Sequence, residues 1–291
     1  MKKNILLVFI GAMLILTACE PIEKRHELGS VLTEQQLLDD MTITVNGNNV
    51  TCTNSATGVI SFWQNNFGQQ SNQSTTTFYV PLKNTYTVTC TAFCSGGTVK
   101  ATKQFSIAQN DPAYFSDPMW DILTNGAAGK TWVWAADIPG GAIWGNGGYL
   151  GDVAPGWWKN GIADITSQGG SANDKIIFDL NLGLNFAVST TNPTGVPGNG
   201  KGTFNMALGA ANQVMKADNS GIWSYGKLTL TNFTVPIGFE PNSPGKPLHY
   251  VFDILKLTNN ELVLAFPSPG SGAWGEAWFF MFKKEGYSYT K

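Results

Sequence analysis

Charge is scarce in this sequence. Asp, Glu, Lys and Arg make up 13% of its 291 residues, with a formal net charge of −2, where an average globular protein carries about 25%. A nucleic-acid partner needs a basic face, so that class is excluded. Histidine is scarcer still, at two residues. His26 lies in a charged N-terminal stretch and His249 stands alone in Pro247-Leu248-His249-Tyr250-Val251-Phe252-Asp253, so a zinc site built on several histidines is excluded within one chain. A Ser-His-Asp triad would have to use His249, and Asp253 lies about 13 Å along the same strand, too far to orient it. There is no phosphate loop or dinucleotide fingerprint, and no Gly-x-Ser-x-Gly elbow beside a helical segment. No cofactor and no metal is expected. Asp218-Asn219-Ser220-Gly221 has the composition of a turn rather than a calcium loop. Long apolar runs are also missing. The longest, Ile5 to Leu16, is interrupted by Gly11 and falls short of the roughly 20 residues of a membrane span.

That run follows Lys2 and Lys3 and ends in Leu16-Thr17-Ala18-Cys19. A positive start, a short apolar core and small residues before the boundary form a signal peptide, here residues 1–18. The four residues ending in Cys19 resemble the lipobox of bacterial lipoproteins. The resemblance implies diacylglycerol on Cys19, further acylation of the new N-terminus, and stable anchoring by several chains where one would be marginal. Residues 19–40 hold Pro21, Glu23, Lys24, Arg25, His26 and Glu27, with Leu37 and Leu38 further on. They are expected to form a tether with at most one short helical turn. Acidic residues just after Cys19, interrupted by Pro21 and Ile22, resemble the export signals of Bacteroidota surface lipoproteins. The expected location is the outer membrane at the cell surface, with its periplasmic face as the alternative.

Three cysteines remain: Cys52, Cys90 and Cys94. Export permits a disulfide, and three thiols leave at least one unpaired; Cys52 with Cys90 or with Cys94 are the candidate pairs. Residues 41–109 alternate in short Thr-, Val- and Tyr-rich runs, with Asn46-Gly47 as a tight turn. About seven strands in this length imply an immunoglobulin-like sandwich. Val50-Thr51-Cys52-Thr53-Asn54-Ser55, then Phe62-Trp63 with Phe67-Gly68, then Asn84-Thr85-Tyr86-Thr87-Val88-Thr89 resemble a PKD-type domain. The acidic residues of the usual Trp-Asp-Phe-Gly-Asp-Gly are replaced in Trp63-Gln64-Asn65-Asn66-Phe67-Gly68-Gln69. The resemblance implies a spacer or adhesion module with Trp63 in its core. Asp111-Pro112 and Asp117-Pro118 favour extended chain and mark a linker.

Residues 117–285 hold nine of the ten tryptophans. Strand-like stretches separated by Gly, Asn and Pro clusters, without sustained helical period, imply a second all-β domain: a larger jelly-roll-like β-sandwich or a barrel. Trp132 and Trp134, two apart, should share a buried face. The run from Trp144 to Lys159 sets Trp144, Asn146, Tyr149, Asp152, Trp157 and Trp158 among glycines and prolines. That composition reads as a surface loop. In Trp274-Gly275-Glu276-Ala277-Trp278, strand alternation would put Trp274, Glu276 and Trp278 on one face, a carboxylate between two indoles.

Exposed indoles suit sugars. A pyranose presents a C–H face to the electron-rich ring, and amides and carboxylates satisfy its hydroxyls. The candidate ligand-binding residues are therefore Trp144, Asn146, Tyr149, Asp152, Trp157, Trp158, Trp274, Glu276 and Trp278, and the expected ligand is a neutral polysaccharide or oligosaccharide. The whole arrangement resembles the surface glycan-binding lipoproteins of Bacteroidota, which implies a membrane attachment through lipid and an outer-membrane transporter as partner. Two other readings stand beside it: a glycoside hydrolase using Glu276 with a second carboxylate, and an adhesion module without a sugar site.

Overall fold

The computed structural model describes residues 29–290. The signal peptide, Cys19 and the first part of the tether lie outside the described residues. The chain forms two compact units. One holds Thr51–Phe78 and Thr87–Phe105 with the described chain up to Thr44; the other holds Val45–Val50, Tyr79–Tyr86 and the chain from Ser106 on.

The end of the stretch expected as a tether is folded. Helix α1 (Glu34–Asp40) starts at a capping box, in which the Gln36 amide donates to the Thr33 hydroxyl and the Thr33 amide donates to the Gln36 side chain, satisfying two otherwise open donors. Leu37 on this helix is fully buried, which no free tether would allow.

Seven strands follow: β1 (Met41–Asn46), β2 (Asn49–Asn54), β3 (Ile60–Asn65), β4 (Gln70–Ser71), β5 (Thr75–Tyr79), β6 (Asn84–Cys94) and β7 (Gly97–Ile107). They form two sheets, β1-β2-β5 and β4-β3-β6-β7, the immunoglobulin-like sandwich expected from the alternation. Gly47 at φ 59 makes the β1–β2 turn, where a Cβ would be strained. Trp63 is fully buried and donates its indole N–H to the Gln73 carbonyl at 3.0 Å. The Tyr86 hydroxyl donates to the Leu82 carbonyl at 2.9 Å.

Helix α2 (Met119–Thr124) precedes twelve further strands: β8 (Lys130–Trp134), β9 (Trp144–Gly148), β10 (Trp158–Asn160), β11 (Lys175–Asp179), β12 (Asn185–Ser189), β13 (Gly200–Ala207), β14 (Val214–Met215), β15 (Ile222–Ser224), β16 (Lys227–Thr231), β17 (Val251–Leu257), β18 (Glu261–Pro267) and β19 (Glu276–Lys284). Eight of them close an antiparallel ring in the order β8-β11-β12-β13-β16-β17-β18-β19, with β19 returning to β8 through Phe282↔Trp134, Lys283↔Val133 and Lys284↔Trp132. Of the two architectures allowed by the sequence, the barrel forms, and its strands follow chain order as a meander rather than the Greek keys of a jelly roll. The small hairpin β14–β15 encloses the Asp218–Gly221 turn, where Asp218 accepts from the Ser220 amide and Asn219 sits at φ 58.

Except beyond the bulge in β17, where Lys256 is exposed and Leu257 buried, the inward positions are the even-numbered ones. Opposed pairs include Phe178↔Phe186, Phe204↔Leu230, Leu228↔Phe252, Ile254↔Leu264 and Phe266↔Trp278, all buried. An eight-stranded barrel is just wide enough for side chains to fill, and aromatic rings fill this one. Trp132 and Trp134 belong to that filling, as their spacing implied.

Strands β9 and β10 correct the loop expected over 144–159. β9 pairs with the same edge of β19 that β8 uses further along, through Glu276↔Gly148, Trp278↔Asn146 and Phe280↔Trp144, and β10 pairs with β9. The glycines here serve close approach. A Cβ on Gly145 would stand 2.0 Å from the Trp158 carbonyl oxygen, and one on Gly147 would stand 2.7 Å from the Asp152 carboxylate.

Candidate functional site

Glu276 opens β19 and is its first inward-facing residue, so it stands at one end of the barrel. Three partners hold it. Oε1 accepts from Asn146 Nδ2 at 2.6 Å and from Asn242 Nδ2 at 2.8 Å; Oε2 accepts from Asn242 at 2.9 Å and from the Ser268 hydroxyl at 2.6 Å. Asn146 arrives on β9, Asn242 from the segment between β16 and β17, and Ser268 from just past β18. Ser268 Oγ in turn accepts from the Trp278 indole N–H at 3.2 Å. Burial pushes the Glu276 pKa up, but the hydrogen bonds from Ser268, Asn242, Asn146 and Trp278 outweigh it and hold the carboxyl below its ordinary value. The group is an ionised acceptor at neutral pH.

The tryptophans separate into two sets. Trp144 and Trp278, 1% and 2% exposed, do not face solvent. Both lie at inward positions, with ring centroids 5.2 Å apart, and Phe239 and Phe280 close around Trp144. They are packing, and the expectation that they contact ligand is corrected. Trp158 rests edge-on against both, at 5.4 and 5.9 Å, and is 41% exposed. Trp157 and Trp274 are each 57% exposed. Trp157 sits in the bend just before β10.

Trp274 departs from the expected strand face. It precedes β19 in a turn, at φ 63, a conformation that costs a bulky side chain and persists only where its surroundings impose it. Its amide donates to the Tyr149 carbonyl at 2.8 Å, and the Tyr149 amide donates back to Gly275. The indole lies against the β9 turn, where a Cβ on Gly151 would come within 2.1 Å of the ring and one on Gly148 within 3.0 Å. Glycine at both positions lets the ring settle against backbone while more than half of it stays open.

Asn146, Tyr149 and Asp152 are half-buried and make contacts within the protein. Asn146 donates to Glu276 and accepts from the Trp158 amide at 3.0 Å. Tyr149 meets Trp223 edge-on at 5.0 Å. Asp152 accepts from the Gly148 amide at 2.7 Å, and its carbonyl accepts from the Trp223 indole at 2.7 Å. They shape the support for Trp158, Trp274 and Glu276. Asn242 and Ser268 carry no local sequence signal, since each gains its role by meeting a carboxylate distant in the chain. His249 stacks on Phe266 with centroids 3.9 Å apart and places Nδ1 3.1 Å from Glu240, a packed imidazole away from Asp253, which pairs with Lys227 at 2.9 Å.

All three described cysteines are free thiols, which corrects the disulfide expected from Cys52 with Cys90 or Cys94. Cys52 and Cys90 are completely buried in the sandwich core. Burial pushes the Cys52 thiol up to about 12, with Cys90 adding to the rise. It pushes Cys90 up to about 11 against the hydrogen bonds at Ser61 and Phe62. Both are protonated and behave as small apolar residues. Among the described residues, no group of three or more His, Cys, Asp or Glu side chains could hold a metal ion.

The described chain is thus an all-β protein with an immunoglobulin-like sandwich and a closed eight-stranded barrel, and its richest cluster of open indoles and engaged polar groups stands at one barrel end. No protein-family model and no curated protein matches the chain. Among solved structures, part of it is similar to the PKD1 domain of Vibrio anguillarum Epp, at 20% identity and a TM-score of 0.23, over 24% of this chain and 89% of that one.

Proposed function

We propose that this protein is a non-catalytic, surface-anchored lipoprotein that holds a neutral polysaccharide at the Glu276 end of its barrel. One observation carries the reading: Trp274 is kept in a strained backbone conformation with its indole against Gly148 and Gly151 and most of its surface open. Strain of this kind concentrates at functional sites, and a rigid open indole is the platform a pyranose ring stacks on. Trp158 supplies a second, edge-braced ring, and Trp157 a third. The exposed Asn242 amide is the polar group offered to sugar hydroxyls, held in place by the Glu276 carboxylate, whose oxygens already accept from Asn146, Asn242 and Ser268.

The charge state of Glu276 does not suit the proton-donating acid of a glycosidase. A glycosidase acid must hold its proton near neutrality, which requires a raised pKa, and the hydrogen bonds here act in the other direction. The anchor would be lipid on Cys19 in the outer membrane, facing outward, with the sandwich as spacer. Many tethered copies make a weak site sufficient, and an outer-membrane transporter would be the partner that receives the captured glycan. Native affinity gels cast with neutral plant and microbial glycans test this. Retarded migration that is lost in Trp274→Ala and weakened in Trp158→Ala supports the reading. Migration unchanged by every glycan overturns it, and release of reducing ends, lost in Glu276→Gln, replaces it with the hydrolase.

A further inference from the structure

Glu276 and Lys284 are the first and last residues of β19, so Lys284 marks the opposite end of the barrel, roughly 26 Å away at ~3.3 Å per residue. A cavity of about 510 Å³ opens there, lined by Lys130 and Lys284 with Asn125, Thr131, Asn259 and Glu285. Two of its lining lysines lack a carboxylate partner among the described residues. Lys227 pairs with Asp253, Lys256 with Glu261 and Lys283 with Asp137. Lys130 and Lys284 enter no ion pair among the described residues and are instead close enough to repel each other. Glu285 does not neutralise them, because its carboxylate lies 2.6 Å from Lys175. Lys130 and Lys284 are thus two lining ammonium groups without a carboxylate partner among the described residues, in a chain whose total is −2.

We propose that this cavity is an oxyanion site, taking one carboxylate, sulfate or phosphate group between the Lys130 and Lys284 ammonium groups. Lys130 is preorganised for it. One of its N–H bonds goes to the Ile122 carbonyl, and the ammonium lies 5.2 Å from the Trp132 ring centroid, so the head group is held at the cavity wall with donors to spare. Burial, and then the neighbouring Lys284, lower its pKa; the opposite charge of an anion between the two amines would offset that lowering. Asn125, Thr131 and Asn259 add neutral polar groups that can bond the remaining oxygens. The anion is either a free ion or a substituent on a larger molecule such as an acidic sugar, and the cavity accommodates both.

The test is calorimetric titration of the full-length protein with inorganic phosphate, sulfate, glucuronate and glucose at matched ionic strength. The oxyanions should bind and glucose should not, with affinity falling as salt rises. Lys284→Gln should weaken binding about tenfold, the expected scale for one charge-assisted contact, and Lys284→Glu should abolish it. Lys284 is exposed, so neither variant should disturb folding, and unchanged urea denaturation checks that. Tighter binding of glucuronate than of the free ions assigns the site to a sugar-borne acid; the reverse assigns it to the bare ion; both support the site. Trp274→Ala should leave oxyanion binding intact, which separates this site from the glycan platform. Absence of heat for all three oxyanions, or equal affinity in Lys284→Glu, overturns the proposal.

Discussion

Replacing Trp274 separates backbone strain from ring contact, because the two act in opposite directions on stability. The ring is 57% exposed, so about two-fifths of it is covered. A fully buried tryptophan removes up to about 250 Å² from water, which puts the covered share near ~100 Å² and its contribution near ~2.5 kcal/mol at ~25 cal/mol per Å², an upper value because the unfolded chain already shields some of it. Against this stands the left-handed backbone at φ 63, which costs any residue with a Cβ roughly 1–2 kcal/mol and costs glycine nothing. Trp274→Gly should therefore destabilise by only about 1 kcal/mol, and Trp274→Ala, which loses the ring and keeps the strain, by about 2.5. Glycine more stable than alanine reverses the order seen in regular strands and helices. Urea denaturation of both variants reads the difference, and affinity gels read the function, where both should lose glycan retention. If Trp274→Ala proves as stable as Trp274→Gly, the strain argument fails. If either variant binds glycan like the parent, the platform argument fails with it.

Glu276→Gln should remove charge-assisted hydrogen bonds from Asn146, Asn242 and Ser268 and lower stability by roughly 2–3 kcal/mol, measured by denaturant titration. Because the folded carboxyl titrates below its ordinary 4.5, its contribution is complete above that pH and is lost as pH falls through the folded value. The parent's melting temperature should thus drop more steeply below pH 4.5 than that of Glu276→Gln, and parallel curves would refute the assignment. Leu37→Ala should cost about 2–5 kcal/mol and Thr33→Ala about 1 kcal/mol; unchanged denaturation curves for both would place α1 outside the folded unit. In a Cys19→Ser background, Ellman's reagent should label Cys94 in the native protein and reach Cys52 and Cys90 only in urea, since burial keeps their thiols protonated and inaccessible. Failure to find two further thiols on unfolding would mean the pair is oxidised.

Local residue order encodes the direction of side chains and little beyond their neighbours. Period-2 alternation places Trp132 and Trp134 together inside, and the same parity carries through Phe178, Phe204, Phe252 and Phe280. It also made the sandwich legible, while the core place of Trp63 was implied by the resemblance to a PKD-type domain. Alternation depends only on the pleat of one strand, so it survives without knowledge of the partner. Closure does not. Whether β19 turns back to β8 or stays an open edge is a pairing between residues about 150 positions apart in the chain, and no local pattern encodes it. The same limit explains the tryptophans. Trp144 and Trp158 stand in one glycine-rich run with similar neighbours, yet one is sealed by Phe239 and Phe280 and the other remains open. The glycines there read as loop because their sequence signal is flexibility; their reason for being there, room for the Trp158 backbone and the Trp274 ring, exists only once distant segments pack. Glu276 was legible as an acid between indoles. Its ionised state was not, because it depends on Asn146, Asn242 and Ser268, three donors on separate segments that only the assembled barrel brings within hydrogen-bond reach.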